Sequence, residues 1–201
     1  MTRPVLDFWF DFASTNSYPA AMRIVHRADE AGVAVRFRPF LLGPIFQQQG
    51  WPNSPFNIYE AKGRNMWRDL ERLCGDLDLP FRRPDPFPQN SLLAARTALV
   101  GLKADWGENF CRAVFHAEFA AGRRIDDAVV ITDILGALWV EAAPVMAATQ
   151  SAEIKAALRS ATEEAQALGI YGAPSFTTAD GELFWGNDRL ERALTWAKDG
   201  R

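Results

Sequence analysis

The sequence predicts an α/β fold in which an all-helical insertion interrupts one β-sheet. Three observations support this prediction: a strand–helix–strand pattern at the start, a long block of helical patterns, and two further strands and a helix at the end. With 201 residues, 48% of them hydrophobic, the chain can bury a packed core. Its length is that of one domain, or of one domain with a large insertion.

The first pattern begins with an apolar run over residues 5–11, which is typical of a buried strand. Apolar residues at helical spacing follow from Tyr18 until Gly32, a residue type that is common just after a helix. Over residues 33–38, the large apolar side chains of Val33, Val35 and Phe37 alternate with Ala34, Arg36 and Arg38, which is typical of a second strand. Short connections imply a right-handed crossover and two parallel strands.

The central part of the chain is predicted to be helical. Residues 43–57 are rich in proline and glycine, so we expect a long loop there, and long loops are usually functional. A second proline-rich break occurs at residues 80–88. Helical patterns occupy residues 66–77, 92–102, 110–119, 126–138, 142–149 and 151–169.

Strand patterns return near the end of the sequence. Residues 175–178 and 182–185 flank Asp180-Gly181, a dipeptide that favours a hairpin turn. A final helical pattern follows, and Asn187 is expected to be its N-cap.

The order of these elements is β-α-β, a helical block, and then α-β-β-α, which indicates a thioredoxin-like fold with an all-helical insertion. We assign residues 1–43 and 151–201 to the thioredoxin-like domain and residues 44–150 to the inserted helical domain. Open α/β sheets bind ligands at the carboxyl ends of their strands. We therefore expect the active site where the first strand ends and the first helix begins.

Composition excludes several classes of function. The net charge is −3 and no basic block stands out, which argues against a nucleic-acid or anionic-membrane partner. No apolar stretch approaches the length that spans a bilayer, and the first residues lack a signal-peptide pattern. We expect a cytoplasmic protein.

Cysteine and histidine residues show no spacing typical of redox or metal sites. Cys74 and Cys111 are far apart and form no C-x-x-C motif, so we expect two reduced, buried thiols. His26 and His116 are isolated and are interpreted as structural. No metal is expected.

Two hydroxyl groups, those of Ser14 and Ser17, lie at the predicted entrance of the first helix. One interpretation is that either serine caps the helix. The other is that the free N–H groups and the dipole of the helix N-terminus favour a bound anion there.

Five segments together resemble the 2-hydroxychromene-2-carboxylate isomerases, which are relatives of kappa-class glutathione transferases and, more distantly, of DsbA. These segments are residues 10–18, 39–43, 61–63, 169–176 and 184–190. The resemblance implies a DsbA-like and kappa-class-like fold, glutathione as the cofactor and a homodimer.

By this resemblance Ser14 is the counterpart of the first cysteine of a thioredoxin C-x-x-C motif. A hydroxyl cannot perform disulfide exchange, which requires a thiolate. It can instead donate a hydrogen bond to the glutathione thiolate, whose pKa of about 8.5 in the free thiol would be lowered by that bond and by the helix N-terminus. Ser14 is thus the predicted catalytic residue, and Ser17 keeps the capping role.

Ala173 and Pro174 resemble the cis-proline site of thioredoxin-like folds. The backbone of Ala173 would pair with the cysteinyl backbone of glutathione like an added strand. The alternative is an ordinary trans proline that opens a strand.

The resemblance also assigns the γ-glutamyl end of glutathione. Asp188 would hold its amino group, and Trp185, Gly186 and Asn187 would line that end. Capping of the following helix by Asn187 is compatible with this role.

Polar residues of the insertion complete the predicted site. By resemblance, Lys62 and Asn53 face the glycyl carboxylate or an acidic substrate, although a solvated surface position is the usual one for a lysine. Asn57 and Asn90 are assigned to the second substrate.

The resemblance implies a glutathione-dependent isomerase that converts a small conjugated carbonyl compound of aromatic catabolism between its cis and trans forms. Two alternatives are a kappa-class-like transferase or peroxidase that consumes glutathione and a non-catalytic binding protein. Disulfide oxidoreductase activity is excluded by the missing C-x-x-C motif. Thr15 and Asn16 replace the proline and aromatic residue usual in the family, and this more polar loop bears mainly on the second substrate.

Overall fold

A four-stranded mixed sheet forms the centre of the protein in a computed structural model, which describes residues 3–51 and 54–200. The strand order is β2-β1-β3-β4. β1 (Val5–Phe10) is parallel to β2 (Ala34–Pro39), whereas β3 (Ser175–Thr178) is antiparallel to both β1 and β4 (Leu183–Trp185). The predicted parallel unit, the hairpin near the end and the thioredoxin-like class are confirmed.

Ten α-helices surround this sheet in the described part of the chain. A 3₁₀ turn over Asn187–Arg189 precedes the last of them. The helices are α1 (Ser17–Ala31), α2 (Leu42–Gln48), α3 (Pro55–Ile58), α4 (Glu60–Asp76), α5 (Leu92–Gly101), α6 (Gly107–Phe119), α7 (Ala128–Ala137), α8 (Ala142–Ala148), α9 (Ala152–Ala167) and α10 (Leu190–Asp199).

Strand β1 is buried on both faces, as its apolar run predicts. Phe8 and Phe10 lie in the larger core, where the Phe10 ring is 5.7 Å from that of Phe115 on α6. Trp9 points to the other face and belongs to a smaller apolar cluster with Phe40. The end of β1 is therefore held between two packed layers, which gives the following residues a rigid base.

The prediction of a long irregular loop over residues 43–57 is wrong. Helix α2 covers Leu42–Gln48 and helix α3 covers Pro55–Ile58. Pro44 does not prevent α2, because it lies in the first turn, where the backbone nitrogen needs no partner within the helix.

Both predicted helix caps are wrong. Helix α1 follows Asn16 without a side-chain cap, and the Ser17 hydroxyl is buried with no hydrogen-bond partner in the described part of the chain. The Asn187 side chain accepts a hydrogen bond from Arg23 Nη2 (3.0 Å), and α10 begins only at Leu190. The Asn187 side chain thus joins α1 to the C-terminal segment instead of capping α10.

Cys74 and Cys111 are free and buried, as predicted. Burial raises the pKa of the Cys74 thiol to about 11 and that of the Cys111 thiol well above its usual value. His26 and His116 are exposed on α1 and α6. Within residues 3–51 and 54–200, no three potential metal ligands cluster, and no helix is both long and apolar enough to cross a bilayer.

Candidate active site

Ser14 lies in a tight turn between β1 and α1. Its N–H donates to the carbonyl oxygen of Asp11 (3.0 Å), and its own carbonyl accepts from the Ser17 N–H (3.1 Å). Its hydroxyl donates to the carbonyl oxygen of Ala173 (2.8 Å). These three bonds place the hydroxyl at the N-terminus of α1 and against the loop before β3.

The peptide bond between Ala173 and Pro174 is cis, as predicted. The Ala173 carbonyl accepts from Ser14, whereas no described residue accepts a hydrogen bond from the Ala173 N–H. The Trp185 indole packs against Gly172, where a Cβ atom would lie 2.4 Å from Nε1. The loop therefore presents one backbone donor beside Ser14, the Ala173 N–H, that no described residue uses. The Ala173 carbonyl can still accept a second hydrogen bond, because a carbonyl oxygen has two lone pairs.

A cavity of about 690 Å³ opens beside Ser14 and Ala173. Its polar lining includes one carboxyl group, Asp11, and one ammonium group, Lys62. Most of its remaining lining is apolar or aromatic, including Leu41, Leu42, Pro44, Phe46, Trp51, Phe56, Phe87, Pro88, Leu92, Tyr171 and Trp185. A small, largely apolar molecule with an anionic group suits this lining.

Five of the predicted site residues meet at this cavity: Ser14, Lys62, Asn90, Ala173 and Trp185. Lys62 lies in the first turn of α4 with its Nζ atom 5.8 Å from the centre of the Phe56 ring. The Asn90 Oδ1 atom accepts from the Leu92 N–H (3.0 Å) at the start of α5. These five residues come from the turn after β1, helix α4, the segment before α5, the loop before β3 and strand β4, and the fold brings them together.

Other predicted residues lie outside the lining of this cavity. The Asn57 amide donates to the Phe87 carbonyl (3.3 Å), and the Gly186 N–H donates to the Pro174 carbonyl (2.9 Å). Asp188, beside the already described Asn187, is exposed and pairs with Arg189 (2.6 Å). Their roles toward a ligand stay predictions.

Asn53 was also predicted to face a carboxylate, and it lies outside the described residues. Its role is likewise a prediction.

Asp11 is a cavity residue that the sequence prediction missed. Its Oδ1 atom accepts from the Ala13 N–H (3.0 Å) and its Oδ2 atom from the Leu42 N–H (2.8 Å), and Ser91 lines the same cavity. Burial raises the pKa of this carboxyl, and the two backbone N–H groups and the nearby Ser91 side chain oppose that rise. The available signal was a charged residue at the end of an apolar strand, since such residues are buried only with partners.

Thr15 and Asn16 also line the cavity, but only part of their polarity is available there. The Thr15 hydroxyl is buried and contacts the Met66 sulfur (3.4 Å) on α4. Asn16 makes no side-chain cap for α1. The contact with Met66 thus engages the Thr15 hydroxyl, whereas Asn16 remains a polar residue of the lining.

The arrangement favours an anion rather than disulfide chemistry. The first turn of α1 has no acidic residue, and its N-terminus points to the region of Ser14. A hydroxyl donor and the cation of Lys62 act in the same direction. No cysteine belongs to the described lining, so this cavity supplies no thiol of its own.

Comparison with known proteins agrees with this geometry. Residues 5–195 match the model of the DSBA-like thioredoxin domain. The chain is 27% identical over 191 residues to a 2-hydroxychromene-2-carboxylate isomerase of Sphingobium xenophagum, covering 95% of this chain and 96% of that protein. It is 26% identical to glutathione S-transferase kappa 2 of Caenorhabditis elegans, covering 94% and 89%.

Solved structures show the same fold. A 2-hydroxychromene-2-carboxylate isomerase superposes with a TM-score of 0.83 at 22% identity, covering 95% of this chain and 93% of that one. The cytosolic disulfide reductase DsbM of Pseudomonas aeruginosa, solved with GSH, has a TM-score of 0.67 at 17% identity, covering 96% and 95%. Since the family match spans nearly the whole chain, this protein belongs to the DSBA-like thioredoxin domain family.

Proposed function

We propose that this protein is a glutathione-dependent isomerase of the 2-hydroxychromene-2-carboxylate isomerase type. The observation that carries the proposal is the position of the Ser14 hydroxyl, which lies 2.8 Å from the carbonyl before the cis proline and beside a large cavity. A hydroxyl there can hold a ligand's thiolate but cannot exchange disulfides. The similarity to an isomerase along 95% of the chain supports the same reaction class.

The described residues fit a thiol-bearing peptide. The Ala173 N–H, which has no acceptor in the described chain, can bond the cysteinyl backbone as a neighbouring strand would. Lys62 can bind the glycyl carboxylate, and Asn53 is proposed to assist it. Asp188 would exchange its contact with Arg189 for the γ-glutamyl amino group.

Trp185, Gly186 and Asn187 would border that γ-glutamyl end. Trp185 lines the cavity, whereas Gly186 and Asn187 lie outside its described lining, where the Gly186 N–H bonds the Pro174 carbonyl and the Asn187 side chain accepts from Arg23.

The second substrate would occupy the aromatic part of the cavity. Phe46, Trp51, Phe56 and Phe87 line this part, which suits a small, flat, conjugated carbonyl compound. Asn90 at its edge can donate its amide N–H to a substrate oxygen, because the described residues engage only its Oδ1 atom. Asn57 is proposed to act through the Phe87 segment that it contacts.

Bound glutathione would supply a thiolate that adds reversibly to the conjugated bond, so that rotation about that bond becomes possible. Ser14 would rotate its hydroxyl from the Ala173 carbonyl to the sulfur and donate to it. The N-terminus of α1 would favour the same negative charge. The apolar walls would exclude water, which strengthens both interactions.

The Ser14→Ala variant tests this proposal. With 2-hydroxychromene-2-carboxylate and glutathione, we expect kcat/KM to fall about 100-fold, the usual effect of removing one donor to a developing anion. Ser17→Ala is the matched control, because the Ser17 hydroxyl has no described partner and its loss is expected to leave the rate unchanged. Equal rates for Ser14→Ala and the wild type would refute the role of Ser14.

A kappa-class-like transferase or peroxidase is the second candidate, favoured by the 26% identity to a glutathione S-transferase kappa. The same assay separates the two, since an isomerase leaves the glutathione concentration constant during turnover and a transferase consumes one molecule per product. Absence of glutathione binding in calorimetry would instead favour a non-catalytic protein. The homodimer stays a prediction from the resemblance, and the cytoplasmic location stays a prediction from the sequence.

A further inference from the structure

We propose that Asp11 is a positioning residue that holds the Ser14 turn, the start of α2 and the start of α5 in one arrangement around the cavity. The inference rests on the proposed function, because the position it controls is that of the Ser14 hydroxyl relative to a bound thiol. It goes further by naming the carboxyl group that connects the Ser14 turn, where the thiol would bind, with α2 and the segment before α5, where the second substrate would bind.

The contacts of Asp11 reach three separate elements. Its carbonyl oxygen accepts from the Ser14 N–H (3.0 Å) and its Oδ1 atom from the Ala13 N–H (3.0 Å), so both bonds fix the turn. Its Oδ2 atom accepts from the Leu42 N–H (2.8 Å), 31 residues further along the chain. Ser91, the residue directly before α5, lines the same cavity, and its side chain is near enough to lower the pKa of the Asp11 carboxyl.

A carboxyl group can satisfy both backbone donors together. Its two oxygens offer acceptor sites on both sides, whereas an amide offers one oxygen and turns an NH₂ group toward the remaining N–H. Asp11 is 5% exposed, so water cannot easily replace a lost partner. The Asp11→Asn change therefore breaks one of the backbone bonds while preserving the size of the side chain.

A negative charge on Asp11 would act against the thiolate, whereas its hydrogen bonds would favour the thiolate by holding Ser14 in place. A carboxylate in the same cavity disfavours a thiolate and raises its pKa. Among the described residues, Lys62 on α4 and Tyr171 before β3 line the same cavity, and the buried Glu118 on α6 interacts electrostatically with Asp11. When Asp11 is neutralised, loss of its hydrogen bonds thus predicts a higher pKa of the glutathione thiol, whereas loss of its charge predicts a lower one. The direction of the measured shift therefore tests the proposal.

The test measures the pKa of the glutathione thiol in the binary complex from the ultraviolet absorbance of the thiolate. Burial keeps the protein's Cys74 and Cys111 thiols protonated below about pH 9, so the signal reports the ligand. In Asp11→Asn we expect the thiol pKa to rise toward the free value of about 8.5 and kcat/KM to fall about 10-fold. A lower or unchanged thiol pKa would overturn the positioning role.

Two further variants show whether a shift in Asp11→Asn comes from Asp11 itself or from a general disturbance of the structure. Ser91→Ala removes only one contact and keeps the charge, so we expect a smaller rise in the thiol pKa; no rise would contradict a link to α5. Glu118→Gln removes a neighbouring carboxyl that makes no hydrogen bond to described residues, and it should leave the thiol pKa and kcat/KM unchanged. A rise as large as that of Asp11→Asn would show a general effect of the buried carboxyls and overturn the assignment.

A readout without glutathione separates this inference from the proposed function. Absence of a bound thiolate in the wild type would refute the proposed function alone. The amide hydrogens of Ala13 and Leu42 should still exchange faster in Asp11→Asn than in the wild type, because they lose their acceptor. Equal exchange rates would mean that Asp11 does not hold these segments.

Discussion

Glu118 shows how strongly burial in the fold can shift the pKa of a single carboxyl group. Its side chain is fully buried in α6, and neither carboxyl oxygen has a hydrogen-bond partner in the described chain. Burial raises its pKa well above the usual range, and the charges of Asp11 and Asp126 raise it further. Burial thus favours the protonated form of Glu118, whereas hydrogen bonds to Asp11 oppose the rise that burial causes in its pKa.

A pH dependence of stability follows from this raised pKa. From about pH 4.3, the ordinary value for glutamate, the unfolded chain releases the Glu118 proton while the folded protein keeps it until its higher pKa. The free energy of unfolding therefore falls as the pH rises through this window, by up to about 1.4 kcal/mol per pH unit. Glu118→Gln cannot titrate and should remove this slope.

Urea unfolding of both proteins at about pH 5 and about pH 7 measures the difference. Other carboxyls with raised pKa values, such as Asp11 and Glu108, remain in both proteins, so the difference isolates Glu118. Parallel stability curves would show that Glu118 is charged in the folded protein.

Strand β1 is the element on which the site depends. Phe10, its last residue, has ring neighbours in three other places, namely Phe12 in the turn (5.2 Å), Phe37 on β2 (5.9 Å) and Phe115 on α6 (5.7 Å). The residues that carry Ser14 begin directly after it. Packing of this one ring thus fixes both the core and the starting direction of the turn.

The Phe10→Ala variant should lower the free energy of unfolding by about 4 kcal/mol, since it leaves a cavity among fully buried rings. Val5→Ala is the control at the other end of the same strand, where the side chain is 41% exposed, and it should cost less than about 1 kcal/mol. Urea unfolding measures both. Similar losses in the two variants would mean that strand propensity, rather than packing, dominates.

At the scale of the whole molecule, the cavity is assembled from distant segments. The turn after β1, helix α2, the start of α4, the segment before α5 and the loop before β3 each contribute to its wall. Both cysteines lie elsewhere, within the larger core. The protein therefore combines a thioredoxin-like sheet with a site that has no thiol of its own among the described lining residues.

Thiol reactivity tests this separation. An aromatic disulfide reagent should leave Cys74 and Cys111 unmodified in the native protein, because both are buried and thiolates are the reactive species. Both should react after unfolding in urea. Rapid modification of the native protein would show that the core opens often enough to expose them.

Local patterns predicted much of this architecture. The apolar run before Ser14, the hairpin at Asp180-Gly181 and the proline at position 174 are each recognisable within a few residues. Predictions failed where long-range packing decides, as for the Ser17 hydroxyl and for α2. A helix cap or a helix in a proline-containing segment depends on neighbours that no short stretch of sequence contains.

The sequence by itself determined the order of the elements, the absence of a C-x-x-C motif around Ser14 and the segments that resemble the 2-hydroxychromene-2-carboxylate isomerases. Tertiary structure decided which of those residues share a cavity, and it added Asp11, whose partners Leu42 and Ser91 are remote in the chain. The physical reason is that propensity and hydrophobic periodicity act over a few residues, whereas burial, hydrogen bonding of a buried charge and cavity shape depend on how distant segments pack.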